Sequence, residues 1–174
     1  MPALTTENPL LAQLAAQNME AYDEDGWLTV NFGSSEFSIP YREFSPGVKF
    51  LYRNGYCAFL ALALHEITDL PLAVFTIPGT GLDNWLGHVA LCTGPDEYLD
   101  VTGFSTAAEI NEAYGYGENT PYGALALTIT KDVSSVPEIF HEEVRDAPWT
   151  MLGELERLVT MDYAEQLLSD FLPE

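Results

Sequence analysis

The sequence predicts an α+β fold in which a buried helix packs on a mainly antiparallel sheet with flanking helices. Residues 57–64, Cys57-Ala58-Phe59-Leu60-Ala61-Leu62-Ala63-Leu64, are the most apolar helical stretch of the chain. A helix with no polar face is a buried helix. Residues 71–77, 88–92 and 98–101 then read as strands, the last two about a turn at Thr93-Gly94-Pro95-Asp96. Near the C-terminus Leu152, Leu155, Val159, Tyr163, Leu167 and Phe171 make one apolar stripe at helical spacing. Helices set against such a sheet define the class.

Taken in order, Asn8-Pro9 offers an N-cap and a proline at the first helical position, and apolar residues continue at helical spacing to Tyr22. Asp23-Glu24-Asp25-Gly26 ends that helix. Residues 27–32 form a strand, Gly33-Ser34-Ser35 a turn, and residues 36–39 a short partner strand. A turn over residues 52–56 leads into the apolar helix, which runs to His65-Glu66. Thr106 and Glu109 have the spacing of a capping box opening a short helix to Ala113. A glycine-tyrosine loop with Tyr114, Tyr116 and Tyr122 follows, then a strand over residues 124–129. Ser135 with Glu138 caps a helix through Val144, and Asp146 and Pro148 open the last one.

At 174 residues the chain fits a single domain, residues 1–174, with a core of useful size. Its 27 acids against 6 bases give a net charge of −21. Direct binding to nucleic acid through phosphates needs the opposite sign, as does an anionic membrane surface. What the charge leaves is a solvated acidic shell or attraction to a basic protein partner, with no direct nucleic acid and no membrane. No apolar run reaches the roughly 18 residues of a membrane span, and residues 1–7 lack the basic and apolar regions of a signal peptide. The expected compartment is the cytoplasm, with Cys57 and Cys92 as free thiols.

Cys57 stands where the turn enters the apolar helix. A helix N-terminus carries partial positive charge and unpaired N–H groups, both of which favour thiolate over thiol. His88 on a later strand supplies a base, and Asp100 on the next an acid to fix its tautomer. In a strand, alternate residues share a face. An even-numbered connection between the two strands turns Asp100 away from His88. An odd connection or a bulge between Cys92 and Tyr98 puts the two opposite each other on one face. No cofactor or metal is expected. His65-Glu66 lacks the second histidine of a zinc protease, Gly79-Thr80-Gly81 lacks the rest of a phosphate loop, and Cys57, Cys92, His88 and Asp100 lack paired zinc-ligand spacing.

Asn54-Gly55-Tyr56-Cys57 before an apolar helix, then Gly87-His88-Val89, then Tyr98-Leu99-Asp100-Val101-Thr102-Gly103, resembles the papain-like cysteine peptidase superfamily. Its transglutaminase-like and small bacterial or phage cysteine-peptidase branches are the nearest in order and spacing. The resemblance covers residues 52–103 as a papain-like core, with a helical C-terminal part at about 135–172. It implies Cys57 as nucleophile, His88 as base and acid, Asp100 as orienting residue, and attack on an amide carbonyl of a peptide or protein substrate through a thioester. Papain-like peptidases carry a glutamine before the cysteine to bind the oxyanion, and none stands here. Asn54, Tyr52 and the Cys57 N–H are the substitutes, and Trp85, on the loop before His88, together with Tyr114, Tyr116 and Tyr122, is a substrate-cleft candidate.

Two functions follow. One is a cysteine-dependent amide hydrolase or acyltransferase, whether peptidase, deamidase or transglutaminase-like. The other is a non-catalytic acidic binding or inhibitor protein on the same scaffold, for example a phage-type anti-defence protein mimicking nucleic acid.

Overall fold

The computed structural model describes residues 20–24, 27–32, 35–40, 46–53, 56–78, 85–117, 120, 123–133 and 154–172. The elements, in chain order, are β1 (Glu20–Glu24), β2 (Trp27–Phe32), β3 (Ser35–Pro40), α1 (Pro46–Arg53), α2 (Cys57–Thr68), β4 (Leu72–Ile77), β5 (Trp85–Gly94), β6 (Glu97–Asp100), β7 (Gly103–Ser105), α3 (Ala107–Ala113), β8 (Ala126–Thr130) and α4 (Glu154–Phe171). The class is α+β, as the sequence predicts.

Strands β1, β2 and β3 form an antiparallel meander, with Glu24 opposite Trp27 and Phe32 opposite Ser35. Here the N-terminal helical reading fails for residues 20–24, which are a strand. Cross-strand pairing with β2 overrides a helical spacing carried by a few apolar residues, and Asp25-Gly26, a strong hairpin dipeptide, stands between the two. The expected helix over the preceding residues, the helix from Ser135 and His141 lie outside the described residues.

The second sheet has five antiparallel strands in the order β7-β6-β5-β4-β8. Helix α2 packs on it. Leu60, Ala63 and Leu64 meet Leu91 and Leu99 from the sheet and Val159, Tyr163 and Leu167 from α4. Ala58, Ala61 and Leu62 meet Leu72, Val74 and Val89. Apolar residues on both flanks of α2 are what that sandwich requires, which is why this helix lacks a polar face. The other face of the sheet is filled by Ala73, Phe75, Ala90 and Tyr98 under Ile110 of α3 and Leu125.

Two bulges shape β5, the strand shared by both cores. Between the Phe75–His88 and Thr76–Leu86 pairs, Gly87 is the extra residue. A Cβ there would stand 2.9 Å from Leu125 Cδ2 and 3.2 Å from the Phe75 carbonyl oxygen, so the close approach requires glycine. Between the Cys92–Tyr98 and Gly94–Glu97 pairs, Thr93 is the extra residue.

Helix α1 is an element that the sequence reading took as a turn at its end. Tyr52 and Arg53 close a helix begun by Pro46, a residue suited to the first helical position. Helix α2 runs past His65-Glu66 to Thr68 and stops at Asp69 in the left-handed conformation. The capping box forms as expected: Thr106 N–H donates to Glu109 Oε2 at 2.8 Å and Glu109 N–H to Thr106 Oγ1 at 3.3 Å. No described helix is long and apolar enough to cross a membrane.

Leu64 is fully buried between the sheet and α4. Leu64→Ala should lower unfolding stability by about 2–5 kcal/mol, from lost transfer energy plus an unfilled cavity. Urea unfolding at fixed pH checks this.

Candidate active site

Cys57 is the first residue of α2, and the residue before it, Tyr56, provides no side-chain cap. The N–H groups of the first turn have no helical acceptor. The Ala58 N–H turns instead to the Cys57 sulfur, as does the Val89 N–H from β5. His88 is the thiol's side-chain hydrogen-bond partner. Burial pushes the thiol up, yet the bonds and charge of His88 with these two N–H groups outweigh it and hold Cys57 below the ordinary thiol range.

His88 is fully buried, and its Nε2 donates to Asp100 Oδ2 at 2.8 Å. Burial works against its protonation. The hydrogen bond to Asp100, with the bond and charge of Cys57, wins and raises its pKa to about 9. Asp100 is itself 8% exposed. Its Oδ1 accepts from the Thr102 N–H at 2.7 Å and the Thr102 hydroxyl at 2.6 Å. Burial would raise this carboxyl, but His88 and then Thr102 hold it below the usual carboxylate range.

The bulge at Thr93 brings the acid to the histidine. The Gly94–Glu97 pair, continued without a bulge, would set Asp100 opposite Leu91, whose side chain packs under α2. The extra residue resets the ladder to Cys92–Tyr98 and Leu91–Leu99. Asp100 then falls beside Ala90, on the His88 face and diagonal to it. A bulge is what the Cys–His–Asp arrangement demanded of the sequence. The relation is diagonal and not directly opposite, which the length of the two side chains spans.

Cys57, His88 and Asp100 are thus brought together. The Tyr52 ring lines the same small cavity as Cys57, but its hydroxyl is buried against Thr160 Oγ1 at 2.8 Å. That bond commits it to tying α1 to α4. Trp85 begins β5 opposite Ile77, not the loop expected. Its side chain, like Asn54, lies outside the described residues. Cys92 is four residues from His88 along β5, and its thiol donates to the Gly94 carbonyl at 3.5 Å. Among the described residues no group of His, Cys, Asp and Glu is placed to hold a metal ion. His65 is half-buried, with Nδ1 2.6 Å from the Leu70 carbonyl that it caps.

Sequence reasoning gave Thr102 no role, and it offered Tyr114 only as a cleft-lining aromatic without its bond to His88. Thr102 is foreshadowed only by its place two residues after an acid at a turn, a common side-chain-to-backbone pattern. Tyr114 closes α3, and its hydroxyl lies 2.8 Å from His88 Nδ1. No spacing rule links the two positions; only the tertiary fold joins them.

Comparison with protein-family models, with characterised proteins and with solved structures finds no match to this chain.

The pKa shifts set a pH profile for stability. A raised His88 contributes stability that is complete below about pH 6.5, its ordinary value, and lost as pH rises through about 9. A lowered Cys57 contributes stability that is complete above its ordinary value of 9.0 and lost as pH falls through its folded value. Between about 6.5 and 9 the two trends offset each other. Lowered Asp100 adds a loss on the acid side, below its ordinary 3.8. Urea midpoints should therefore be level over that interval and stay level above about pH 9, where the His88 contribution is already lost and that of Cys57 complete. They should decline on the acid side as Cys57 and then Asp100 are protonated. In Asp100→Asn the imidazolium loses its buried counter-charge and His88 deprotonates at lower pH, so the midpoints should rise with pH up to about 9, where those of the wild type are level.

Proposed function

We propose that this chain is a cysteine-dependent amide hydrolase or acyltransferase with a papain-like arrangement, in which Cys57 is the nucleophile, His88 the proton carrier and Asp100 its orienting partner. The observation that carries the reading is the 2.8 Å bond from His88 Nε2 to Asp100 beside a thiol held below its ordinary range at a helix start.

The chemistry follows from the proton positions. The Cys57 thiolate attacks the amide carbonyl carbon, forming a C–S bond while the carbonyl electrons move to oxygen. N–H groups of the uncapped first turn of α2, that of Cys57 among them, face developing negative charge there. The oxyanion collapses, the C–N bond breaks, and the leaving amine takes a proton from imidazolium His88. Neutral His88 then removes a proton from water or from an acceptor amine, which attacks the thioester and releases the Cys57 thiolate. Asp100 keeps the ring in the tautomer with hydrogen on Nε2 throughout. The surplus of acids attracts basic amide-bearing proteins as substrates, an attraction that salt weakens.

One observation favours the second reading, an acidic binding protein on this scaffold. Cys57 is only 6% exposed and His88 not at all, so a substrate carbonyl reaches the sulfur only if neighbouring side chains move aside.

Iodoacetamide alkylation of Cys57 against pH separates the two. The enzyme reading expects a midpoint clearly below the roughly 8.5 of a free thiol. In His88→Ala the rate at pH 6 should fall at least about tenfold as that midpoint rises. Reaction only above about pH 8, or only on unfolding, sinks the enzyme reading. With a basic peptide amide library, the wild type should accumulate a mass shift of one acyl group on Cys57, absent in Cys57→Ser.

A further inference from the structure

Tyr114 lies against the imidazole of His88, with ring centroids 4.9 Å apart and planes at 33°. Its hydroxyl oxygen is 2.7 Å from the Arg53 carbonyl oxygen and 2.8 Å from His88 Nδ1. A phenol has one proton to donate. A carbonyl or carboxylate oxygen only accepts, and each ring nitrogen either carries hydrogen or accepts it.

Only one placement of protons fills all three bonds at once. His88 Nε2 donates to Asp100. Tyr114 donates to Arg53, the last residue of α1, whose carbonyl has no helical partner and lies at the negative end of the helix dipole. Nδ1 must then carry a proton and donate to the Tyr114 oxygen, and the bond between His88 and the Cys57 sulfur shares one of these two ring N–H groups. That ring is an imidazolium. A neutral ring keeps hydrogen on Nε2 and leaves Nδ1 bare, so the single phenol proton serves His88 or Arg53 but not both.

We propose that Tyr114 is a positioning residue that selects the doubly protonated form of His88 and so keeps Cys57 a thiolate. This deepens, and rests on, the reading of Cys57 as nucleophile. The groups facing the imidazole are Asp100 from β6, Cys57 from α2 and Tyr114 from the end of α3. The Arg53 guanidinium carbon stands 5.5 Å from the centre of the Tyr114 ring. Burial, then the negative charge of Cys57 and Asp100, keeps the phenol protonated well above its ordinary range. It therefore remains a one-proton hydroxyl over the interval in which the ion pair exists. When His88 gives up its Nδ1 proton, the hydroxyl can turn to the bare nitrogen, leaving the Arg53 carbonyl unfilled until the ring is protonated again.

The test uses the full chain labelled with ¹⁵N-histidine, together with the Cys57 alkylation profile in wild type and Tyr114→Phe. Both His88 nitrogens should be protonated at pH 7 in the wild type. Tyr114→Phe keeps the ring stacking and should unfold cooperatively, while its Cys57 midpoint moves up by about one pH unit. If the wild-type midpoint is low but Nδ1 is bare at pH 7, or Tyr114→Phe leaves the midpoint in place, the role of Tyr114 falls and the nucleophile reading stands. If wild-type Cys57 behaves as an ordinary thiol, both fall together. The wild-type nitrogen spectrum decides the matter even if the variant does not fold.

Discussion

The bond between His88 and Asp100 is the constraint around which the described part of the molecule is organised. Both groups are buried, and a buried charge pair offsets its desolvation only when geometry is good and the remaining polar atoms are filled. Here they are filled: Asp100 Oδ1 takes two bonds from Thr102, and His88 Nδ1 is paired with the Tyr114 hydroxyl. No described buried side-chain nitrogen or oxygen lacks a partner. Breaking one half of such a pair costs about 3–5 kcal/mol, enough to hold the register of β5 and β6 in place. The dependence also runs in reverse, since a slip of one residue at Thr93 would send Asp100 to the other face.

Helix α2 ties this polar cluster to the core. Its two apolar flanks fix its position against the sheet on one side and α4 on the other, which leaves its first turn no freedom to wander. Cys57 therefore meets β5 at a set place, beside His88 and the Val89 N–H. The absence of a capping side chain at Tyr56 leaves amides free for an anion, so the same local sequence feature that weakens the helix end serves the thiolate. A thiol held in this way is drawn toward its ionised form and at the same time enclosed. Activation and access are thus opposed, and a functional cycle would need neighbouring side chains to move.

Much of the fold was readable because its signals are local. The apolar run 57–64 implied burial, the Thr106-Glu109 pair implied a cap, and Val159, Tyr163 and Leu167 implied the buried stripe that α4 presents. Where local signals misled, a long-range pairing had decided the matter. Residues 20–24 pair with β2 against their helical spacing, and Tyr52 spends its hydroxyl on a residue more than a hundred positions away. Trp85 joins β5 because Ile77 stands opposite it.

The sequence by itself determined the order of chemistry: a cysteine at a helix start, a histidine on one strand, an acid on the next. It also set the condition for the histidine and the acid to share a face, a bulge or odd connection between those strands, because side-chain alternation has a fixed period of two. Which of those connections exists was decided by the tertiary structure, through the extra residue at Thr93. So was the bond that Tyr114 makes. Thr102 reaches Asp100 locally, two residues on, but Tyr114 reaches His88 only once the strands are paired and α3 is docked, since proximity across the chain is created by packing and is not encoded in spacing.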